Sequence, residues 1–369
     1  MAGQLKDFFS QSLVESLAHS IKGAHPRFEH TAFVKDATKG LARLELMARG
    51  AHIAAALRKH LPPGYPEAVD ILLRSIGTAK APIESSMAPF FYLPHTMLIA
   101  THGLDDFETS MRAQHKLTQV FTCEFSIRPF LEKYPDKTLE VLARWSKDRN
   151  ENVRRLVSEG TRPRLPWATR VRWIEREPER AIPLLETLKD DPSLYVRRSV
   201  ANHLNDIYRA HPKLVHALAE RWLEDASKER RALVTHALRS AVKAGDPKAL
   251  SLLGFGGKPR IEIKDAAFDP KRVSIGASTR VSFTLRATSP RAQSLAVDLV
   301  VHFVKSSGKA SPKVFKIATL TLPPGGSVSL RKSISLAVHT TRRPYPGKHM
   351  VDIVINGERS PLGAFAVSA

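Results

Sequence analysis

The segment PDKTLEVLARWSKDRNENVRR, residues 135–155, recurs forty-three residues later as PERAIPLLETLKDDPSLYVRR, residues 178–198. Both copies begin with proline, carry apolar residues at helical spacing and continue through an aspartate to a Val-Arg-Arg triplet. A period in the low forties with two helices per copy is typical of HEAT-like repeats. Because one helix pair cannot bury its apolar stripe alone, we expect the copies to stack into a curved solenoid.

A third, shorter copy begins at Pro212 and runs through Arg230 and Arg231 to Ala237. The pattern changes near Gly254–Pro259, a stretch whose glycines and lysine lack the spacing of a phosphate-binding loop and favour a linker. Beyond it, short alternating runs rich in β-branched residues predict six or seven strands. These runs are Arg260–Lys264, Arg280–Leu285, Leu295–Val304, Val314–Leu322, Val328–Leu336 and Met350–Ile355.

The sequence therefore predicts a multidomain protein. Residues 1–256 are expected to form an all-α HEAT-like solenoid, and residues 257–369 a small immunoglobulin-like β-sandwich. The formal net charge is +21, which indicates a polyanionic partner such as nucleic acid. Residues 256–369 hold 18 Lys and Arg against 6 Asp and Glu, so the smaller domain carries the denser positive charge. We expect that domain to act as a DNA clamp.

Other classes of protein find little support in the composition. No apolar run is long enough for a membrane span, and the first residues lack a secretory signal pattern. The single cysteine, Cys123, excludes an internal disulfide framework and favours a reducing, cytoplasmic environment. The histidines are scattered without a metal-ligand motif, so no metal or other cofactor is expected.

The repeat register places polar residues together. Glu159 follows Val153 by six residues, as Asn202 follows Val196, so the two occupy equivalent positions on neighbouring second helices. Asp206 lies four residues after Asn202, on the same helix face. The register thus predicts an acidic strip across two repeats, although a solvated helix face remains the alternative.

An aromatic side chain follows the strip. The stretch Gly160–Trp167 contains two prolines and a glycine, which end the helix and force a turn. An exposed Trp167 beside carboxylates would stack on a nucleobase, most favourably on a cationic one. A tryptophan buried in the core is the alternative.

The arginines of the repeats divide into two groups. By register, Arg154 and Arg197 are expected to pair with Asp148 and Asp191, the ladder typical of stacked HEAT repeats. Four others lack such a local partner and are predicted to contact DNA phosphates, although solvated charges are as plausible. These four are Arg155, Arg162, Arg164 and Arg198.

Three segments carry a family resemblance: FTCEFSIRPF at 121–130, VRRLVSEGTRPRLPWA at 153–168 and YVRRSVANHLND at 195–206. They resemble the signature stretches of AlkC-type alkylpurine DNA glycosylases, part of which carry a terminal immunoglobulin-like domain. The resemblance implies that Glu124, Glu159 and Asp206 form the acidic cluster around the lesion and that Trp167 contacts the damaged nucleotide. Asn202 lies inside these motifs and is placed with Trp167 as substrate-binding. The matching His236 and Arg239 are expected to contact DNA.

The resulting hypothesis is a monofunctional glycosylase that hydrolyses the N-glycosidic bond of cationic alkylated bases in duplex DNA and acts as a monomer. The resemblance favours 3-methyladenine and allows 3-methylcytosine. None of the three segments contains a lysine that could form a Schiff base, which disfavours a lyase. The alternatives are a non-catalytic HEAT scaffold that binds nucleic acid, and a damage sensor. A nuclease is disfavoured because no metal-binding cluster is apparent.

Overall fold

The structure, a computed structural model, describes residues 5–77, 88–338 and 343–368. The chain divides into two compact units, Met1–His211 and Pro212–Ala369. None of the helices in the described ranges is both long enough and apolar enough to span a bilayer.

The first unit is helical. Short 3-10 turns occur at Leu5–Phe8, Leu41–Arg43, Ala88–Tyr92 and Pro178–Arg180. The α-helices of this unit are α1 Gln11–Ala24, α2 His30–Thr38, α3 Leu46–His60, α4 Tyr65–Arg74, α5 Leu93–His102, α6 Phe107–Leu117, α7 Arg128–Lys133, α8 Pro135–Trp145, α9 Glu151–Gly160, α10 Arg172–Arg176, α11 Ile182–Leu188 and α12 Leu194–Tyr208.

The two sequence copies each form a helix pair, α8 with α9 and α11 with α12. Their second helices begin at equivalent positions, because the side chains of Asn150 and Ser193 each accept a hydrogen bond from the backbone N–H two residues on. Proline stands at the first helical position of α8 and among the first positions of α11, where its missing N–H costs nothing. The helix pairs predicted from the repeat are confirmed, and α9 packs directly against α12.

The second unit begins with four helices, α13 Pro212–Leu223, α14 Lys228–Ala237, α15 Arg239–Ala244 and α16 Pro247–Leu252. Eight strands follow among the described residues. They are β1 Ile261–Asp269, β2 Arg272–Ser274, β3 Ser278–Ala287, β4 Gln293–Val304, β5 Ala310–Leu322, β6 Ser327–Ser335, β7 Gly347–Ile355 and β8 Glu358–Ser368.

The strands form two sheets, β1-β3-β6 and β2-β8-β7-β4-β5. All neighbours are antiparallel except β2 and β8, which are parallel. Alternate residues of β3 are buried, as the two-residue period of a strand requires. The inward side chains of both sheets share one core, which includes Phe283 of β3, Leu299 of β4 and Ile353 of β7.

The change from helices to strands lies between Leu252 and Ile261, as the sequence predicts. Each of the six predicted runs falls on a strand, with ends that differ by a few residues, and β2 and β8 were not predicted. The compact units, however, divide between His211 and Pro212. A domain boundary at residues 256 and 257 therefore stays a prediction.

Candidate active site

The three predicted acidic residues lie in one chain of ion pairs. Arg155 Nη1 donates to Glu124 Oε2 at 2.5 Å, and Arg155 Nη2 lies 3.4 Å from Glu159 Oε1. Arg162 Nη1 donates to the same Glu159 oxygen at 2.6 Å, and Arg162 Nε donates to Asp206 Oδ2 at 2.9 Å. We call Glu124, Arg155, Glu159, Arg162 and Asp206 the acidic network.

The network is built on helices that the repeat sets in register. Arg155 and Glu159 are one turn apart on α9, Asp206 lies on α12, and Arg162 follows the end of α9. Ser199 of α12 donates to Glu159 Oε2 at 2.6 Å, so both oxygens of this carboxylate are held. Glu159 of α9 therefore contacts α12, the helix on which the register placed Asn202 and Asp206. The role of this strip in the reaction stays a prediction.

Burial excludes the alternative that the acidic strip is a solvated helix face. Only 5% of Glu159 and 6% of Asp206 is exposed, so neither belongs to a solvated helix face. A carboxylate taken out of water must be compensated by partners, and here Arg162, itself 8% exposed, compensates both. Asn202, half-buried on α12, lies one turn before Asp206, and its contact with substrate stays a prediction.

The pKa values of Asp206 and Arg162 shift for identifiable reasons. Burial raises the pKa of Asp206 above its ordinary value, and the hydrogen bond from Arg162 only partly opposes this. Burial acts to lower the pKa of Arg162, but its hydrogen bond to Asp206 and the charges of Glu159 and Asp206 outweigh it, so this pKa is raised. Arg162 therefore stays charged between two carboxylates.

Trp167 is displayed rather than buried. Its side chain is 64% exposed, so the alternative of a core tryptophan is wrong. Its backbone has φ of 64°, in the left-handed region that non-glycine residues rarely enter. The turn imposed by Pro163 and Pro166 thus ends in a strained residue with its indole in solvent. Such strain is typical of functional positions.

The arginines differ from their predicted pairing. Arg154 does not pair with the carboxylate of Asp148; it binds Asp191 of the next copy with two hydrogen bonds, at 2.6 and 3.0 Å. Its Nη1 donates to the Asp148 carbonyl, and Arg197 donates to the carbonyls of Asp191 and Pro192. The pair of Arg154 and Asp191 therefore joins neighbouring copies. Asp191 follows α11, the first helix of the later copy.

Three of the four arginines predicted to lack a local partner have one. Arg155 and Arg162 belong to the acidic network, and Arg164 donates to Glu175 at 2.7 Å. Arg198 is exposed on α12. The pairs with Glu124 and Asp206 were missed because these carboxylates lie 31 and 44 positions from their arginines. The contacts of Arg155 and Arg162 with Glu159 have the i,i+4 and i,i+3 spacing that the sequence does show. Contact of these four with phosphates stays a prediction.

His236 and Arg239 lie in the second unit, at the end of α14 and the start of α15. Both are partly buried, and Arg239 Nη1 donates to the His236 carbonyl at 2.6 Å. Their predicted contact with DNA stays a prediction.

Two contacts near the network were not predicted. The guanidinium of Arg155 lies 5.1 Å from the ring centre of Tyr195, whose side chain is partly exposed. Ser199 and Tyr195 lie four residues apart on α12, so helical spacing back from Asn202 would have found both.

Cys123 is buried, and burial raises the pKa of its thiol to about 12, so it is not a nucleophile.

The chain is similar to proteins that are already known. The solved structure of the Pseudomonas fluorescens alkylpurine DNA glycosylase AlkC, bound to DNA containing an abasic site analogue, matches it with a TM-score of 0.93 and 38% identity over 100% of both chains. The uncharacterized protein YhaZ of Bacillus subtilis is 34% identical over 355 residues, 96% of each sequence. A family described as the C-terminal Ig-like domain of YhaZ matches residues 262–369.

A full-length match of this quality defines the class of protein, a DNA glycosylase with a helical N-terminal part and a C-terminal Ig-like domain. Within that class, the chain belongs to the AlkC family.

Proposed function

We propose that this protein is a monofunctional DNA glycosylase that hydrolyses the N-glycosidic bond of cationic alkylated bases in duplex DNA and leaves an abasic site. The family resemblance favours 3-methyladenine as the base and allows 3-methylcytosine. The observation that carries the proposal is the acidic network, which gathers Glu124, Glu159 and Asp206 on a helical framework. Trp167, exposed on the turn that follows α9, would lie against the damaged nucleotide. The framework would be a HEAT-like solenoid whose concave face receives the duplex.

The chemistry requires little more than a fixed negative potential. A base methylated on a ring nitrogen is already cationic and leaves readily, and its departure gives the deoxyribose oxocarbenium character, as in sugar hydrolysis. The network holds three carboxylates and two guanidinium groups, which leaves one net negative charge. Preorganised charge of this kind stabilises the cationic transition state without reorganisation. It also favours a cationic base over a neutral one.

Within this scheme, Glu159 and Asp206 stabilise the sugar and Asp206 orients the attacking water. Arg162 engages Oδ2 of Asp206, so Oδ1 can accept a hydrogen bond from that water. Glu124 completes the cluster and is itself fixed by Arg155 and Thr122.

The direct test is release of methylated bases from methylated duplex DNA, separated by chromatography, with the spontaneous release measured in parallel. We expect 3-methyladenine to be released and the abasic strand to stay uncut until alkali is added. Absence of release would reject the enzyme in favour of a scaffold. Cutting of the strand without alkali would reject the monofunctional reaction.

We expect the activity to be lost on acidification, at a pH higher than that at which an ordinary aspartate titrates. Asp206 acts as an anion and its pKa is raised, so activity is present above that pKa and is lost as the pH falls through it. Arg209→Gln should move this acid limb to higher pH, because the charge of Arg209 lowers the pKa of Asp206. Single-turnover rates across the acidic range would show the shift, and an unmoved limb would contradict the role of Asp206.

The C-terminal β-domain offers a surface for phosphates. On β3 buried side chains alternate with outward polar ones, and on β6 mostly partly buried positions alternate with exposed ones. Register pairs the outward residues across the two strands. We call this surface the basic sheet face; it consists of Arg280, Ser282, Thr284, Arg286, Ser327, Ser329, Arg331 and Ser333. Its hydroxyl and guanidinium groups are donors that suit phosphate oxygens.

Replacing Arg280, Arg286 and Arg331 together by glutamine should weaken duplex binding and lower the slope of log K against log salt by about 0.9 for each phosphate that is no longer neutralised. All three are exposed, so folding should be unaffected. A matched control replaces Lys305, Lys309 and Lys348 by glutamine. These exposed lysines belong to the five-stranded sheet: the first two lie in the turn between β4 and β5, and Lys348 lies on β7. Equal slopes for the two triple variants would show that the basic sheet face does not grip DNA.

A further inference from the structure

A buried arginine outside the acidic network ties down the turn that carries Trp167. Arg128, the first residue of α7, is 1% exposed. Its Nη1 donates to the carbonyls of Gly160 and Arg162, both at 2.9 Å, and its Nε donates to the carbonyl of Thr169 at 2.6 Å. One guanidinium therefore binds backbone on both sides of Trp167.

The three acceptors connect Arg128 to each part of the site. Gly160 ends α9, the helix of Glu159, and cations are favoured at a helix C-terminus. The Arg162 carbonyl belongs to the residue whose side chain holds Glu159 and Asp206. Thr169 follows Trp167 by two residues. Moving Arg128 would therefore move the aromatic side chain and the carboxylate pair relative to one another.

The contacts suit a rigid, charged fork rather than any other side chain. Burial lowers the pKa of Arg128 to about 10, so the group remains protonated at neutral pH. Arginine presents its donors in a fixed plane, whereas lysine supplies a single point of charge. Lysine could reach one or two of the carbonyls but could not hold all three in the same geometry.

We propose that Arg128 is a positioning residue for base excision: it fixes the turn from Gly160 to Thr169 so that Trp167 and the carboxylates held by Arg162 keep one relative placement. This inference rests on the proposed glycosylase function. It does not require Arg128 to touch DNA, because its side chain is buried.

The test compares Arg128→Lys with Arg49→Lys. Arg49 is a matched control, since it is also buried and donates to four backbone carbonyls, those of Lys6, Phe9, Ala42 and Leu44. Both variants should lose thermal stability. Only Arg128→Lys should reduce the single-turnover rate of base release at saturating enzyme, by roughly 10- to 100-fold, because small misplacements of reacting groups have effects of that order.

A second readout separates positioning from general loosening. The emission of Trp167, obtained by subtracting the spectrum of a Trp167→Phe protein in each background, should change in Arg128→Lys and not in Arg49→Lys. Binding of duplex containing an abasic analogue should weaken less than the rate falls. A wild-type rate and an unchanged Trp167 emission in Arg128→Lys would overturn the inference, as would equal rate losses in the two lysine variants.

Two further outcomes are decisive. If Arg128→Lys does not fold, Arg128→Gln, which leaves no unpaired buried charge, is measured in the same way; failure of both to fold would assign Arg128 to the fold alone and overturn the positioning role. If the wild-type protein releases no methylated base, the proposed function fails. The emission of Trp167 would then still show whether Arg128 holds the turn.

Discussion

Glu159→Gln is expected to slow release of methylated bases by about 10²–10³-fold, the usual effect of removing one preorganised electrostatic group. Glutamine has nearly the same shape and its amide oxygen can still accept from Arg162, so the loss would come from charge. Without the carboxylate the network changes from one net negative charge to neutral, and the developing positive charge on the sugar loses its stabilisation.

The measurement is the single-turnover rate at saturating enzyme, which separates the chemical step from binding. Asp36→Asn is a suitable control, since Asp36 is a carboxylate paired with Lys59 and His60 in the same helical unit but outside the acidic network. A near wild-type rate for Glu159→Gln would remove Glu159 from the reaction. Retained lesion binding in a wild-type protein that releases no base would instead identify a damage sensor.

Trp167→Ala is expected to reduce the ratio of excision rate to dissociation constant by roughly 5- to 150-fold, because stacking of a base on an aromatic ring contributes about 1–3 kcal/mol. The side chain is 64% exposed, so the thermal stability of the protein should hardly change. Trp167→Phe should recover part of the activity, since it keeps an aromatic face.

The readouts for this series are excision kinetics and the midpoint of thermal unfolding, measured on the same preparations. Loss of activity together with a large fall in the unfolding midpoint would show that Trp167 supports the fold. Full activity in Trp167→Ala would show that the indole does not meet the nucleotide.

Most of the fold was predicted from periodic patterns of apolar residues in the sequence. Helical spacing and the repeat predicted the paired helices α8–α9 and α11–α12, and alternation predicted six strands. The two missed strands have local reasons. β2 has only three residues, too few to show alternation, and β8 contains Pro361 and Gly363, which favour turns in a sequence. β2 pairs with β8 across more than ninety residues, which no local pattern records. β8 also forms a hairpin with β7, and the Asn356-Gly357 turn between them is a local signal that the prediction did not use.

The carboxylates of the site could be predicted, but the arginine partners of Glu124 and Asp206 could not. Repeat register placed Glu159 near Asn202 because equivalent positions on stacked helices face the same surface, and Asp206 lies one turn after Asn202. The arginines between them depend on where a turn returns the chain, as at Arg162, and on contacts such as that of Arg155 with Glu124. The sequence likewise offered no basis for choosing between a buried and an exposed Trp167, because the residue that follows a turn can be either buried or exposed.

The left-handed backbone of Trp167 sets a limit on how robust this protein can become. A side chain in that conformation costs about 1–2 kcal/mol, which glycine would not incur, although glycine returns part of the gain through the greater freedom of its unfolded chain. A search for heat-resistant variants that ignores activity should therefore enrich glycine at position 167. Such proteins would withstand heating at least as well as the parent, and we expect them to repair methylated DNA more slowly.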